Sequence, residues 1–475
     1  MKKVLFVEPK AVEANVFAQF MNLPLMGPLY LGTQIRDAGF DVKIVNENLL
    51  GRQLTLNELE GDFLLLTSLT STSERAYDLA RQFKQKNPGS TVIMGGIHAT
   101  FLKEEALKYV DYVVTGEGEE VIVDLLKNAA GPGPAQRIIN GKPLNRLDDL
   151  PVPDFGLLVN SQKMRITPVM TSRGCPYDCN FCSVTKMFGQ GYRTLPIERV
   201  MEELRRVQTN FVFFYDDNFT ANINRTHQLM ERIAKGRFRF EWSAQVRTDI
   251  TRYPDLVKDM KRAGCNTVYI GFESVSNETL DSLSKHQTLD DIQRAINVFH
   301  KNSIRIHGMF IFGGDEDDKT IFNETVRFSV KNKIDTVQYM VLTPLPGTET
   351  YQRLESEGRL LHKMWNYYDG LHAVFQPKNM TPFELQRGML DAFEDFYSYT
   401  RLLNDALNIV YDKTVGRVAG LINYRSYPSS TLAIKVVANH IIKRWHRLNK
   451  DYMSYLVQLK TSMKKSAQTI RLNVF

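Results

Sequence analysis

Residues 171–182 read Thr171-Ser172-Arg173-Gly174-Cys175-Pro176-Tyr177-Asp178-Cys179-Asn180-Phe181-Cys182, and three of the chain's four cysteines fall inside them. The spacing is C-x3-C-x2-C. Thiolates are soft ligands suited to iron–sulfur clusters. Three of them can hold three irons of a four-iron cluster and leave the fourth iron without a protein ligand. An open metal position marks a site that binds substrate, as in catalytic zinc. Two other occupants fit the motif less well. Structural zinc prefers paired Cys/His ligands, and no histidine lies near these cysteines. A ferredoxin-type cluster wants a fourth cysteine. The remaining one, Cys265, is distant, lies beside a strand pattern and reads as a buried core thiol.

Outward from the motif, strand patterns at Thr167 to Thr171, Phe211 to Tyr215, Phe240 to Val246, Thr267 to Phe272, Ile304 to Phe312 and Thr336 to Leu342 alternate with helical ones. Six β/α units predict a partial barrel, with its chemistry at the strand ends. The cysteines lie in the loop after the first of these strands.

Upstream, apolar runs at Val4 to Val7, Val42 to Val45, Phe63 to Leu66, Thr91 to Met94 and Tyr112 to Val114 alternate with helical stretches such as Gly27 to Ala38 and Glu74 to Gln85. This pattern predicts a doubly wound parallel sheet. Ligands of such sheets sit beyond the carboxyl ends of the strands. The informative loops are therefore 9–28, 67–73, 95–98 and 116–119. No G-x-G-x-x-G follows the first strand, which disfavours a dinucleotide. The Gly/Pro-rich tract 129–134 and the Pro- and Asp-rich tract 147–153 read as linker. The expected architecture is thus α/β: a Rossmann-like sheet over 1–128, a linker over 129–160, a partial (β/α)6 barrel over 161–380 and a helical region over 381–475.

Ile434, Val437, Ile441, Trp445, Leu448, Tyr452, Tyr455 and Leu459 form an amphipathic stripe on a final helix. Its other face carries Lys435, Lys443, Arg444, Arg447, Lys450, Lys460, Lys464 and Lys465. Two expectations follow: a solvated basic face, or peripheral contact with anionic lipid. The aromatic tract Trp365 to His372 serves either as a cap on the active site or as an anchor for this helix.

The 475 residues have 43% hydrophobic and 24% charged content, as a soluble globular chain does, with a net charge of +7 weighted towards the C-terminus. No basic and aromatic interleaving points to nucleic acid. The N-terminus lacks a signal-peptide core, and no run approaches the roughly 18 apolar residues of a membrane span. A cytoplasmic location is the expectation, with peripheral membrane association as the variant.

The cysteine motif and the six β/α units resemble the radical S-adenosylmethionine (SAM) superfamily. That resemblance implies a 4Fe-4S cluster held by Cys175, Cys179 and Cys182. The open iron chelates SAM, and one electron splits the sulfonium to give a 5′-deoxyadenosyl radical. The resemblance places Phe181 by the adenine. Phe213 to Phe219 looks like the end of the family's second strand, which implies Asp217 as a SAM contact. Arg247 at the third strand's end and Glu273 in Gly271-Phe272-Glu273-Ser274 look like residues that reach SAM. Phe312-Gly313-Gly314 and Pro344-Leu345-Pro346-Gly347-Thr348 resemble its later elements.

The N-terminal part resembles the cobalamin-binding domain joined to many of these enzymes. That likeness implies Ser68, Gly95, Gly96, His98, Gly116 and Glu117 as cobalamin contacts. The D-x-H-x-x-G motif that supplies a cobalt ligand elsewhere is missing. The implied partners are a small-molecule or lipid substrate and a low-potential electron donor such as ferredoxin or flavodoxin. The leading expectation is cobalamin-dependent methylation or carbon–carbon bond formation at a carbon centre. Beside it stand a radical oxidoreductase or cyclase that does not use cobalamin as methyl donor, and a non-catalytic iron–sulfur protein.

Overall fold

Val4, Leu5, Phe6 and Val7 are all buried, so this strand is covered on both faces, as parallel sheets require. The computed structural model describes residues 1–16, 23–131, 133–403 and 429–472, without the side chains of 429–433 and 463–472. Its first sheet is built from β1 (Lys3–Glu8), β2 (Asp41–Asn46), β3 (Phe63–Thr67), β4 (Thr91–Gly95), β5 (Tyr112–Thr115) and β6 (Ile138–Asn140). The order is β2-β1-β3-β4-β5-β6, and every pairing is parallel. The strand order reverses between β1 and β3, which opens a crevice at their carboxyl ends.

Strand β6 falls inside the stretch expected as linker. It has two apolar residues beside Pro- and Gly-rich sequence, too little for a periodic signal. It forms because β5 offers it an unpaired edge, with Val113, Val114 and Thr115 opposite Ile138, Ile139 and Asn140. Further along the same stretch Leu144, Leu147, Leu150 and Leu158 are buried in the core.

The second sheet comprises β7 (Thr167–Val169), β10 (Phe211–Phe214), β11 (Glu241–Val246), β12 (Cys265–Glu273), β13 (Arg305–Phe312) and β14 (Thr336–Val341). Neighbours follow in chain order, all parallel, and β7 does not pair with β14. This is the open barrel. Between β7 and β10 a small antiparallel ribbon joins β8 (Ser172–Arg173) to β9 (Arg193–Thr194). All three motif cysteines lie in the loop that this ribbon closes.

One apolar core runs from Val4 in the first sheet through the barrel to Leu456 in the last helix. The final helix is interrupted: Ser429–Leu448 and Lys450–Leu472 flank Asn449. Asn449 is buried, donates to the Ala14 carbonyl (3.0 Å) and meets His372 Nε2 (2.7 Å). Ile441, Trp445 and Tyr452 face the core, whereas Ile434 and Val437 are exposed. The basic face is partly turned inward. Lys435 is buried over the Phe396 ring, and Lys460 pairs with Glu384 at 3.1 Å. Lys464 and Lys465 lie outside the described side chains. Among the described residues no helix is long and apolar enough to cross a membrane.

The aromatic tract Trp365 to His372 acts as the anchor. Trp365 Nε1 donates to Glu105 of the first unit (2.8 Å), while Tyr367 packs on Tyr452 of the last helix with centroids 4.3 Å apart. None of its residues borders the cavity described below.

Helix Ile197–Arg205 buries Glu203, whose Oε1 is 3.4 Å from Arg199 Nε. Burial pushes this carboxyl up to about 7, and Arg199 offsets only part of that. The folded chain therefore holds a proton that the unfolded chain releases. This contribution is complete below the ordinary carboxylate range and is lost as pH rises through 7. Glu203→Gln should abolish the loss, so that the variant is more stable than the parent by on the order of 3 kcal/mol at pH 8 and nearly equal to it at pH 4.5. Urea unfolding at both pH values checks this; an equal difference at the two would refute it.

Candidate active site

The cluster loop begins at Gly174, whose backbone takes φ +88°. A Cβ there would lie 2.4 Å from the Gly191 carbonyl oxygen, so the chain can pass back only as glycine. Asp216, at the end of β10, fixes the approach to this turn. Its fully buried carboxylate accepts the Thr171 and Ser172 amides (2.7 and 2.8 Å) and the Thr171 hydroxyl (2.5 Å). Further on, Cys182 N donates to the Cys179 carbonyl (3.0 Å), folding the motif into a turn. Asn180 ties it to the barrel through Ser282 O (2.7 Å) and through Thr350 N, which donates to the Asn180 carbonyl (3.1 Å).

Cys179 is buried, and Cys175 and Cys182 are partly so. Burial, with the nearby Cys179, Asp217 and Cys175 adding to it, pushes the Cys182 thiol up to about 12. The three sulfurs thus sit in one another's fields. Among the described residues no three Cys, His, Asp or Glu side chains converge on one ion. A cluster does not require that, since each thiolate takes a different iron. The soft, three-sulfur donor set fits the cluster.

The residues expected to reach SAM surround this loop. Phe181 is partly buried against the core. The Asp217 carboxyl is pushed up to about 6 by burial and by the Asp216 charge, and the Gly174 amide bonds to it. The Arg247 guanidinium lies 3.8 Å from the centre of the Tyr177 ring and donates to the Lys285 carbonyl (2.7 Å). Its Nε is buried without a hydrogen bond among the described residues and lies 3.8 Å from Asp249 Oδ2. Glu273 ends β12 at φ +61°, beside a register shift, and accepts from Lys285 Nζ at 2.5 Å. A non-glycine residue in this region is held there by its surroundings. Tyr177 in turn donates to Asp249.

A cavity of about 310 Å³ lies between the carboxyl ends of the two sheets. Ser68, Gly95, Gly96, Gly116 and Glu117 line it from the first sheet, and Met170, Ser172, Arg173, Tyr215 and Asp217 from the barrel side. Gly96 has φ +91°, and a Cβ there would meet Thr67 Oγ1 at 2.8 Å and the Ser68 amide at 2.9 Å. The Ser68 hydroxyl is buried at the cavity with no partner among the described residues. Leu25, Met26, Leu65 and Ile93 give the cavity an apolar floor.

Of two further expected contacts, one lies off the cavity and the other lines it with its carboxylate engaged. His98 does not border the cavity. It is fully buried in the short helix Ile97–Phe101, with Nε2 2.9 Å from the Tyr77 hydroxyl and its ring 5.5 Å from that of Trp365. The helix turns the side chain away from the loop that precedes it. Glu117 borders the cavity, yet its carboxylate is taken by Arg173 (2.9 Å) and Arg193 (3.0 Å).

Arg193, Glu119, Lys285, Tyr177 and Asp249 escaped the sequence reading as site residues. Arg173 stood in the quoted motif without a role. Each acts through a partner distant in the chain, and spacing carries no signal for that.

Residues 169–328 match the radical SAM superfamily, and residues 21–126 match the B12 binding domain. The chain belongs to the radical SAM superfamily, among its members that carry a B12-binding domain. It is a radical SAM enzyme, and its two matched domains are those that serve a 4Fe-4S cluster with SAM and cobalamin. The chain is 30% identical to an uncharacterized methyltransferase, PH0819, of Pyrococcus horikoshii, over 84% of this chain and 94% of that protein. It is 28% identical to the bacteriochlorophyllide d C-12(1)-methyltransferase of Chlorobaculum tepidum, over 85% and 89%. It is 27% identical to the hopanoid C-3 methylase of Methylococcus capsulatus, over 76% and 74%. Among solved structures, the fold resembles that of the cobalamin-dependent SAM radical enzyme OxsB, with a TM-score of 0.66 and 14% identity over 98% of this chain and 81% of that one. It also resembles the radical SAM methyltransferase TsrM of Kitasatospora setae, with a TM-score of 0.61 and 16% identity over 75% and 78%.

Proposed function

We propose that this enzyme methylates an unactivated carbon of a bulky apolar substrate of isoprenoid or polycyclic type. The observation that carries the proposal is the single cavity onto which the glycine loops of the first sheet and the cluster-loop residues Ser172, Arg173 and Asp217 both open. When bound, the cluster and SAM would supply a radical able to take a hydrogen atom from substrate, and methylcobalamin would supply the methyl group, its cobalt being remethylated by a second SAM with one electron from the donor.

The chain's own residues hold the parts. Cys175, Cys179 and Cys182 ligate the cluster, and Phe181 packs by the adenine. Asp217, Arg247 and Glu273 take the polar groups of SAM, the last with its charge shared by Lys285. The cobalamin side is formed by Ser68, Gly95, Gly96 and Gly116. The substrate class is supported by relatives named for bacteriochlorophyllide d and for a hopanoid. The electron comes from a low-potential donor of the ferredoxin or flavodoxin kind. Exposed Lys443, Arg447 and Lys450 supply a face for peripheral contact with anionic lipid, which co-flotation with anionic vesicles tests.

The deciding experiment uses the full chain, purified anaerobically after expression with cobalamin and reduced with dithionite. It is given SAM labelled in its methyl group and a lipid extract of the source organism. The expected result is 5′-deoxyadenosine together with label in an apolar product. No 5′-deoxyadenosine from fully loaded protein would defeat the radical reading. 5′-Deoxyadenosine with a ring-closed or desaturated product and no label would defeat methylation.

A further inference from the structure

The cluster loop is closed at its neck by β8 and β9, which pair Arg173 with Arg193 and Ser172 with Thr194. Strands this short do not hold a ribbon by themselves. Two arginines directly opposite should also repel. They do not splay, because both guanidiniums converge on carboxylates of the loop after β5. Arg173 bonds Glu117 and Glu119, each at 2.9 Å, and Arg193 bonds Glu117 at 3.0 Å. Side-chain exposure is 8% for Arg173, 1% for Glu117 and 7% for Glu119, so solvent hardly screens this group. Two cations and two anions balance, which is the condition for burying them together. Arg193 further donates to the Leu144 carbonyl (2.7 Å), and Leu144 N donates to Glu117 (2.9 Å).

The mechanical consequence follows from where these residues lie. Arg173 is two residues from Cys175, and Glu117 and Glu119 flank Gly118 on the cavity wall. The neck of the cluster loop and the wall of the cavity are tied together by this one buried charge cluster. We infer that Arg173 and Glu119 are positioning residues that couple occupancy of the cluster site to occupancy of the cavity. Filling either site orders the clamp that the other needs. By linkage the effect is reciprocal. The inference rests on the proposal that the cavity takes cobalamin.

Glu119 is the residue to change, because its carboxylate bonds Arg173, whereas Glu117 also holds Arg193 and Leu144. Hydroxocobalamin is titrated by visible absorbance into the full chain, with the cluster reconstituted and with the iron stripped by chelator. The expected result is about tenfold tighter binding to the cluster-loaded parent, within the range of coupled sites. In Glu119→Gln that ratio should fall to within about twofold of unity. Because Glu119 borders the cavity, the reading is the ratio within each protein and not its absolute affinity. Iron release to a chelator supplies a reading without cobalamin chemistry: hydroxocobalamin should slow it in the parent and not in Glu119→Gln. Arg173→Gln should lose the ratio as well, and Arg173→Lys should recover part of it, which a general loss of folding would not produce. A parent ratio of one, or an unchanged ratio in folded Glu119→Gln, overturns the coupling. No hydroxocobalamin binding to either form overturns the cobalamin reading itself, a separate failure.

Discussion

Cys182→Ser should abolish 5′-deoxyadenosine formation and strip most of the iron from anaerobically purified protein. Removing a group that merely supports a metal ligand costs roughly 10–100-fold, so removing a ligand should exceed that. A serine hydroxyl is a harder donor than a thiol and stays protonated at neutral pH, so it does not replace thiolate on iron. Cys182 is also held in place by the Cys179 turn. Cys265→Ser is the internal control. That cysteine is buried at the start of β12, with its sulfur 3.9 Å from the Thr267 carbonyl and away from the motif. Its loss should leave iron content and 5′-deoxyadenosine yield unchanged. Iron and sulfide assays with product chromatography decide the matter. Full iron content in Cys182→Ser would contradict the ligand assignment.

Asp216→Ala should produce the second large effect, by a different route. It leaves two backbone amides and a hydroxyl at the base of the cluster loop buried without an acceptor. Each orphaned donor costs roughly 1–3 kcal/mol, so the unit should lose on the order of 4 kcal/mol and release its iron more readily. Asp217→Asn is the contrast. It keeps a carbonyl oxygen for the Gly174 amide and should retain fold and iron, while SAM affinity falls. Thermal unfolding and iron content separate the two neighbours. Equal behaviour would show that the structural role is not confined to Asp216.

Adjacent aspartates illustrate what sequence reading resolves and what it leaves open. Asp216 and Asp217 follow the same strand, and pattern alone allows either to be a cap. Their division of labour arises because Asp216 turns back onto Thr171 and Ser172 while Asp217 faces the cavity. Glu273 is similar. Its place at a strand end is legible, but the Lys285 pairing is a contact across a loop.

By itself the sequence determined the two parallel sheets, because apolar runs of strand length alternating with amphipathic helices admit few other packings. It also made the candidate cluster ligands legible, because all three lie within eight residues, while the family resemblance supplied their chemistry. Only the tertiary structure decided the rest. Strand β6 exists because β5 offers it an edge. His98 is withdrawn because its helix turns it towards Tyr77 and Trp365. Arg173, Arg193, Glu117 and Glu119 become one clamp because charges far apart in the chain can be buried only where they neutralise one another. The physical reason is common to all three: local patterns set which face of an element is apolar, whereas polar partners are chosen by distance in the folded state.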